Sequence, residues 1–173
     1  RDDPAALEAA VGESTAAVLI EPIQGEAGVH PIPEPVVAAA RAACDASGAL
    51  LVLDEIQTGM GRTGSLWAWE QGAARPDVMT AAKALGGGLP VGACVTVPEL
   101  EVTLEAGEHG STFAGAPLAS RAALAALEVI DDPALLRRVR ELGTRLADGL
   151  ASLYGVEEVR GRGLMVGAGL AEG

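Results

Sequence analysis

The feature that most constrains the fold is a strand, helix, strand pattern in the first third of the chain. Residues 16–21 (AAVLIE) form a short apolar run, and an Ala-rich stretch from Pro35 to Ser47 has helical spacing. Gly48 then acts as a helix stop, and residues 49–54 (ALLVLD) form a near-continuous apolar run. Such a run is typical of a strand buried on both faces of a parallel sheet. The pattern predicts a βαβ unit and therefore an α/β fold.

The rest of the chain continues this architecture. Glycines at several positions predict a loop over residues 55–77, with a short helix near residues 66–71. Beyond it the sequence predicts two strands, 77–80 and 91–97, which flank the loop 81–90. Two helices are then predicted, at 117–130 and 133–153, and a Gly-rich segment with strand-like apolar positions follows at 156–170. We expect residues 1–131 to form part of one large domain and residues 132–154 to form a long connecting helix. Residues 155–173 are expected to begin a second, smaller domain. The chain begins at Arg1 and stops inside a Gly-rich run, so we expect it to be a piece of a longer protein.

Charge and composition exclude several classes of function. Twelve basic against twenty-four acidic residues give a net charge of -12, which disfavours nucleic acid and anionic membranes as partners. The longest aliphatic run, residues 122–127, is far too short to span a bilayer. Cys44 and Cys94 lie in no CxxC motif and near no His cluster, which predicts two buried free thiols in a reducing cytoplasm and no metal site.

Lys83 and Asp54 are the strongest candidates for chemistry. Lys83 is the only lysine, and it lies among apolar and glycine residues, where partial desolvation would keep its amine near the neutral, nucleophilic form. Asp54 ends a predicted strand. Because ligands of open α/β sheets bind beyond the carboxyl ends of strands, both side chains are expected at one edge. The alternatives are a core-edge lysine that reaches water and an aspartate that caps a helix or loop.

Ser111 and Thr112 precede the helix predicted from Pro117. Hydroxyls and backbone amides at such a position suit a phosphate group. The alternative is an ordinary helix cap, which is the common role of Ser or Thr at this place.

Four motifs in order resemble the class III aminotransferases, with the acetylornithine and ornithine enzymes as the nearest members. The resemblance runs from about Ala16 to Leu170, which is nearly the whole chain. The motifs are EPIQGE at residues 21–26, DEIQTG with GRTG over residues 54–64, KALGGGLP at residues 83–90, and HGSTF at residues 109–113. The resemblance implies a fold-type I pyridoxal-phosphate enzyme in which residues 1–131 are part of the large, cofactor-binding domain, with a mostly parallel sheet flanked by helices.

The resemblance also implies residue roles. Lys83 would be the Schiff-base lysine and the base that moves the substrate proton, and Asp54 the carboxylate that keeps the pyridine nitrogen protonated. Gln57 would hydrogen-bond the phenolic oxygen of pyridoxal 5'-phosphate. Thr112, with Ser111, would donate phosphate contacts across a homodimer interface. Glu26 resembles the glutamate that gates which carboxylate binds.

Three functions compete on the sequence alone. The resemblance favours transfer of an amino group from N2-acetylornithine or ornithine to 2-oxoglutarate in cytoplasmic arginine metabolism. Another class III activity, such as that of a 4-aminobutyrate aminotransferase, is the second; an aminomutase is disfavoured because its loop differs from IQTG at residues 56–59. The third is an inactive, truncated dimerising module. The resemblance is incomplete at Ala114 and Ala116, where the family usually has Gly and Asn. Arg62 and His109 match motif positions but fit surface roles as well as functional ones.

Overall fold

A computed structural model describes residues 2–101 and 103–171. Four α-helices, eight strands and three short 3₁₀ helices make up this described part. The helices are α1 (Pro4–Ala10), α2 (Glu34–Ser47), α3 (Pro117–Ile130) and α4 (Pro133–Ala151). The strands are β1 (Ala17–Ile20), β2 (Ile23–Gln24), β3 (His30–Pro31), β4 (Leu50–Asp54), β5 (Val78–Ala81), β6 (Ala93–Thr96), β7 (Val156–Arg162) and β8 (Met165–Leu170). The 3₁₀ helices are Ala68–Gln71, Lys83–Gly86 and Pro98–Leu100.

The main sheet has the strand order β1, β4, β5, β6. The first three strands are parallel, with Ile20 beside Leu53 and Asp54 beside Thr80, whereas β6 runs antiparallel to β5. The predicted βαβ unit is therefore confirmed as β1, α2 and β4. Its register brings the carboxyl ends of three neighbouring strands to one edge of the sheet.

Helix α2 forms in the Ala-rich stretch for which a helix was predicted. Its buried residues, spaced three or four apart, make one apolar face that packs against the sheet: Val36, Ala39, Ala40 and Cys44. Gly48 ends the helix in the left-handed conformation, with φ of 78°, and its N–H donates to the Cys44 carbonyl at 2.9 Å. Glycine adopts this conformation without strain, so the predicted helix stop has a direct physical cause.

A second cluster fixes the segment that carries Lys83. Met60, Ala81 and Leu85 are buried together, and apolar side chains of α3 pack against them. Because Leu85 lies in the 3₁₀ helix Lys83–Gly86, helix α3 holds this short helix against the end of β5. The loop predicted over residues 81–90 thus contains a helical turn that the sequence pattern did not indicate.

Two small antiparallel hairpins lie beside the main sheet. The β2–β3 hairpin occupies a stretch that was predicted as loop, whereas β7 and β8 form where strand-like positions were predicted. Arg160 connects the two hairpins, because its Nε donates to the Gly28 carbonyl at 2.8 Å. Helix α4 packs on β7 and β8, and a Cβ at its Gly143 would lie only 2.1 Å from the Gly163 carbonyl oxygen.

Two expectations about burial were wrong. Cys94 was predicted to be buried but is exposed, because it lies on β6, whose four residues are all exposed at the end of the sheet. Strand β4 was expected to be buried on both faces; Leu51 and Leu53 are buried, but Leu50 and Val52 are only half-buried. Among the described residues, no helix has the length and apolarity needed to cross a membrane.

Candidate functional site

The site lies at the sheet edge where the parallel strands end. Asp54 is the last residue of β4, and Lys83 follows the end of β5 by two residues. Since Asp54 pairs with Thr80 across the two strands, the expectation that Asp54 and Lys83 share one edge is confirmed. Glu21, directly after β1, lies at the same edge and accepts a hydrogen bond from the Gly25 N–H at 3.3 Å.

Asp54 is half-buried and uses one of its carboxylate oxygens locally. Oδ1 accepts a hydrogen bond from the Ile56 N–H at 2.9 Å, which shapes the turn after the strand. Within residues 2–101 and 103–171, Oδ2 has no hydrogen-bond partner. The carboxylate therefore stabilises its own loop and still offers one oxygen to a ligand that carries an N–H.

Lys83 and Gln57 line one cavity of about 370 Å³, a volume that suits a small ligand. Lys83 has a φ of 48°, and Val29, also in the wall, has a φ of 60°; residues other than glycine rarely adopt such values, and they cluster at functional sites. The remaining wall residues come from four segments of the chain: Gly25, Ile56, Gly59, Arg62, Ala84, Leu164, Met165 and Val166.

The Lys83 side chain is exposed. The sequence-based expectation that its amine is partly desolvated was therefore wrong. The cavity is open to solvent, and Leu85, two residues after Lys83, is buried in the core with Met60 and Ala81. Nζ forms no hydrogen bond or ion pair with any described residue. The amine is therefore accessible and uncommitted.

Gln57 is held between the two residues at the end of the first motif. Its Nε2 donates to Glu26 Oε1 at 3.0 Å. A Cβ at Gly25 would lie 2.2 Å from Gln57 Oε1, so only glycine at this position leaves room for the amide. Glu26 thereby lies beside the cavity, although it was predicted from a motif 31 residues away.

Glu55 is a buried acid that the sequence reasoning did not single out. Only 1 % of it is exposed, and burial raises the pKa of its carboxyl above the ordinary value, although hydrogen bonds from Thr58, Ala68 and Trp69 act in the opposite direction. One signal was available: successive side chains of a strand alternate in direction, so two adjacent acids at its end cannot both face a ligand.

The two residues predicted to bind phosphate lie outside this cavity. Ser111 and Thr112 are exposed in a turn before α3, and neither lines the cavity that Lys83 shares with Gln57. Arg62 and His109 belong to the family motifs but were assigned no role from the sequence. Arg62 lines this cavity and His109 does not. No three or more His, Cys, Asp or Glu side chains in the described part of the chain are grouped so as to hold a metal ion.

Comparison with known proteins identifies the family. The profile of the family described as aminotransferase class-III matches residues 3–173. This chain is a class III aminotransferase family member. An acetylornithine aminotransferase of Mycobacterium tuberculosis is 51 % identical over 97 % of this chain and 42 % of its own length.

Solved structures give the same result for the fold. An N-acetylornithine aminotransferase from Stenotrophomonas maltophilia superposes with a TM-score of 0.87 at 43 % identity, over 99 % of this chain and 46 % of that one. An ornithine aminotransferase from Toxoplasma gondii, described with partial occupancy of PLP at its active site, gives 0.91 at 38 % identity, over 99 % and 42 %. The class III chain described here therefore has the fold-type I architecture, and it spans less than half the length of each of these relatives.

Proposed function

We propose that the protein is a pyridoxal-phosphate-dependent aminotransferase that moves the amino group of N2-acetylornithine or ornithine to 2-oxoglutarate. The observation that carries this proposal is the convergence of Lys83 and Gln57 on one cavity, beside the strand end that bears Asp54. The similarity to acetylornithine and ornithine enzymes supports the choice of donor and a place in arginine metabolism.

The residues fit pyridoxal 5'-phosphate. The free amine of Lys83 can bind the aldehyde covalently, and the unpartnered Oδ2 of Asp54 can accept the N–H of a protonated pyridine ring. Gln57 has a second amide N–H for the phenolic oxygen, because only one is engaged by Glu26. When bound, the cofactor supplies an electron-withdrawing ring that stabilises negative charge on the substrate carbon.

The protein's own groups then bind and move protons. Nζ of Lys83, exposed at the cavity, would act as the general base when it is not bound to the aldehyde, and would then take the proton from the substrate carbon that carries the amine. The Glu26 carboxylate, next to Gln57, is placed to influence which substrate carboxylate binds. Ser111 and Thr112 do not line this cavity, and we propose that they serve the phosphate site of a second subunit in a homodimer.

The test uses the full chain expressed from its gene, as wild type and as Lys83→Ala. Each protein is incubated with pyridoxal 5'-phosphate and reduced with borohydride, and the labelled peptide is located by mass spectrometry. We expect the label on Lys83 in wild type and no covalent label in the variant. An unlabelled wild type would overturn the proposal and favour the inactive module.

Substrate choice is tested on the same wild-type protein. N2-acetylornithine, ornithine and 4-aminobutyrate are each supplied with 2-oxoglutarate, and glutamate production is measured. The highest kcat/KM is expected for one of the two ornithine-like donors. A preference for 4-aminobutyrate would assign the second class III activity instead. We further propose a cytoplasmic location, which suits the free thiols of Cys44 and Cys94.

A further inference from the structure

We propose that Glu55 is a positioning residue that holds the turn between Asp54 and Gln57, and so aims both side chains at the cofactor. This inference rests on the proposed function, because it concerns the two residues assigned there to the pyridine nitrogen and the phenolic oxygen. It adds a buried residue that does not line the cavity.

Both carboxylate oxygens of Glu55 are engaged. Oε1 accepts a hydrogen bond from the Trp69 N–H at 2.8 Å, and Oε2 accepts one from the Thr58 hydroxyl. Trp69 lies in the 3₁₀ helix Ala68–Gln71, and Thr58 directly follows Gln57. The carboxylate therefore ties the turn that carries Gln57 to a separate, packed element.

The backbone of Glu55 makes two further connections. Its N–H donates to the Thr80 carbonyl at 2.9 Å, near the end of β5 and three residues before Lys83. Its carbonyl accepts the Gly59 N–H at 2.9 Å, which closes the turn around Gln57. One residue thus joins the strand of Asp54, the turn of Gln57 and the strand that leads to Lys83.

A contribution to global stability does not explain the choice of an acid at this position. Within the described residues no ion pair neutralises Glu55, although it is 1 % exposed. A buried carboxylate without a cation destabilises the fold relative to an apolar residue. Its two hydrogen bonds, in contrast, have fixed directions and orient the residues that flank it, in the way that outer contacts orient ligand-binding side chains.

The test compares four variants of the full chain: Glu55→Ala and Thr58→Val, which remove hydrogen bonds, and Glu55→Gln and Thr58→Ser, which keep groups that can form them. In the cofactor-free protein we expect faster hydrogen exchange at the amides of residues 56–59 in the first pair only. The dissociation constant for pyridoxal 5'-phosphate should rise about 10- to 100-fold in the first pair and remain near wild type in the second. Borohydride should still label Lys83 in all four.

Controls separate positioning from general loss of stability. Cys44→Ala, in helix α2, should destabilise the fold without changing exchange at residues 56–59 or cofactor affinity. If Glu55→Ala does not fold, the Thr58 pair alone decides. Wild-type affinity and exchange in Thr58→Val, or a Glu55→Gln protein as defective as Glu55→Ala, would overturn the inference while labelling of Lys83 still supports the proposed function. An unlabelled wild type would overturn both.

Discussion

Two loops that carry predicted cofactor contacts differ in how the chain supports them. The turn over residues 54–59 is half-buried or buried throughout, and Glu55 connects it to β5 and to the 3₁₀ helix Ala68–Gln71. The loop over residues 110–116 is exposed as far as Gly115, and its Phe113 is 84 % exposed.

The difference teaches where each half of the site obtains its geometry. Asp54 and Gln57 are oriented by contacts within this chain, including the hydrogen bond from Gln57 to Glu26. Ser111 and Thr112 have no such support among the described residues, which agrees with the proposal that they act at another subunit's site. Substitutions should therefore have large effects near the first loop and small effects near the second.

The largest effect is expected in the core of β4, the strand that leads into the first loop. Leu51 is fully buried in β4, so Leu51→Ala should lower the free energy of unfolding by about 2–5 kcal/mol, through lost apolar contact and a residual cavity. Val95→Ala, on exposed β6, should change it by less than about 0.5 kcal/mol. Urea denaturation of the full chain measures both. Equal losses would contradict the contrast between buried β4 and exposed β6.

A second prediction concerns the opposite end of the same strands. Asp77 Oδ2 accepts the Leu51 N–H at 2.7 Å and pairs with Arg41 at 2.8 Å. Asp77→Ala leaves the Leu51 N–H without this acceptor and removes one of the two carboxylate partners of Arg41, so it should cost about 1–3 kcal/mol in urea denaturation. Asp45, the other partner of Arg41, has a side chain that is 66 % exposed, so Asp45→Ala should cost less than about 1 kcal/mol. A larger loss for Asp45→Ala than for Asp77→Ala would show that burial is not the deciding factor.

Substitution of two glycines compares the two loops, because Gly25 contacts Gln57 of the first loop and Gly110 lies in the second. A Cβ at Gly25 would displace the Gln57 amide, whereas a Cβ at Gly110 meets nothing within 4 Å. Because Gln57 is a flexible side chain, Gly25→Ala should cost about 0.5–1.5 kcal/mol, the value of one hydrogen bond, and Gly110→Ala almost nothing. Gly25→Ala should also weaken binding of pyridoxal 5'-phosphate, measured by dialysis. Unchanged binding would argue against a role for Gln57.

The smallest expected effect is a dependence on pH. Burial raises the pKa of Glu55 in the folded state, so the folded protein holds the proton more tightly than the unfolded chain. The group therefore lowers stability as pH rises from the unfolded pKa through the raised folded one, and the penalty is absent below both. Glu55→Gln should gain stability relative to wild type as pH rises over this range. Denaturation curves that keep a constant difference at all pH values would refute this.

Periodicity predicted much of the scaffold. Gly48 ended α2 as expected because its left-handed φ suits glycine, and the apolar run 49–54 formed a parallel strand beside β1. The shared edge of Asp54 and Lys83 followed from these strands, since parallel strands end together. The β2–β3 hairpin was not predicted, because each of its strands has two residues and too few positions to show alternation.

What the sequence determined by itself was the α/β order of elements, the family and the strand ends that bear Asp54 and Lys83. These depend on local patterns and on motifs that can be recognised without coordinates. Only the tertiary structure decided that Glu55 binds the Trp69 N–H, that Glu26 contacts Gln57, and that Lys83 and Cys94 are exposed. Each of these depends on which distant segment, or none, packs against the residue, and spacing along the chain does not specify such contacts.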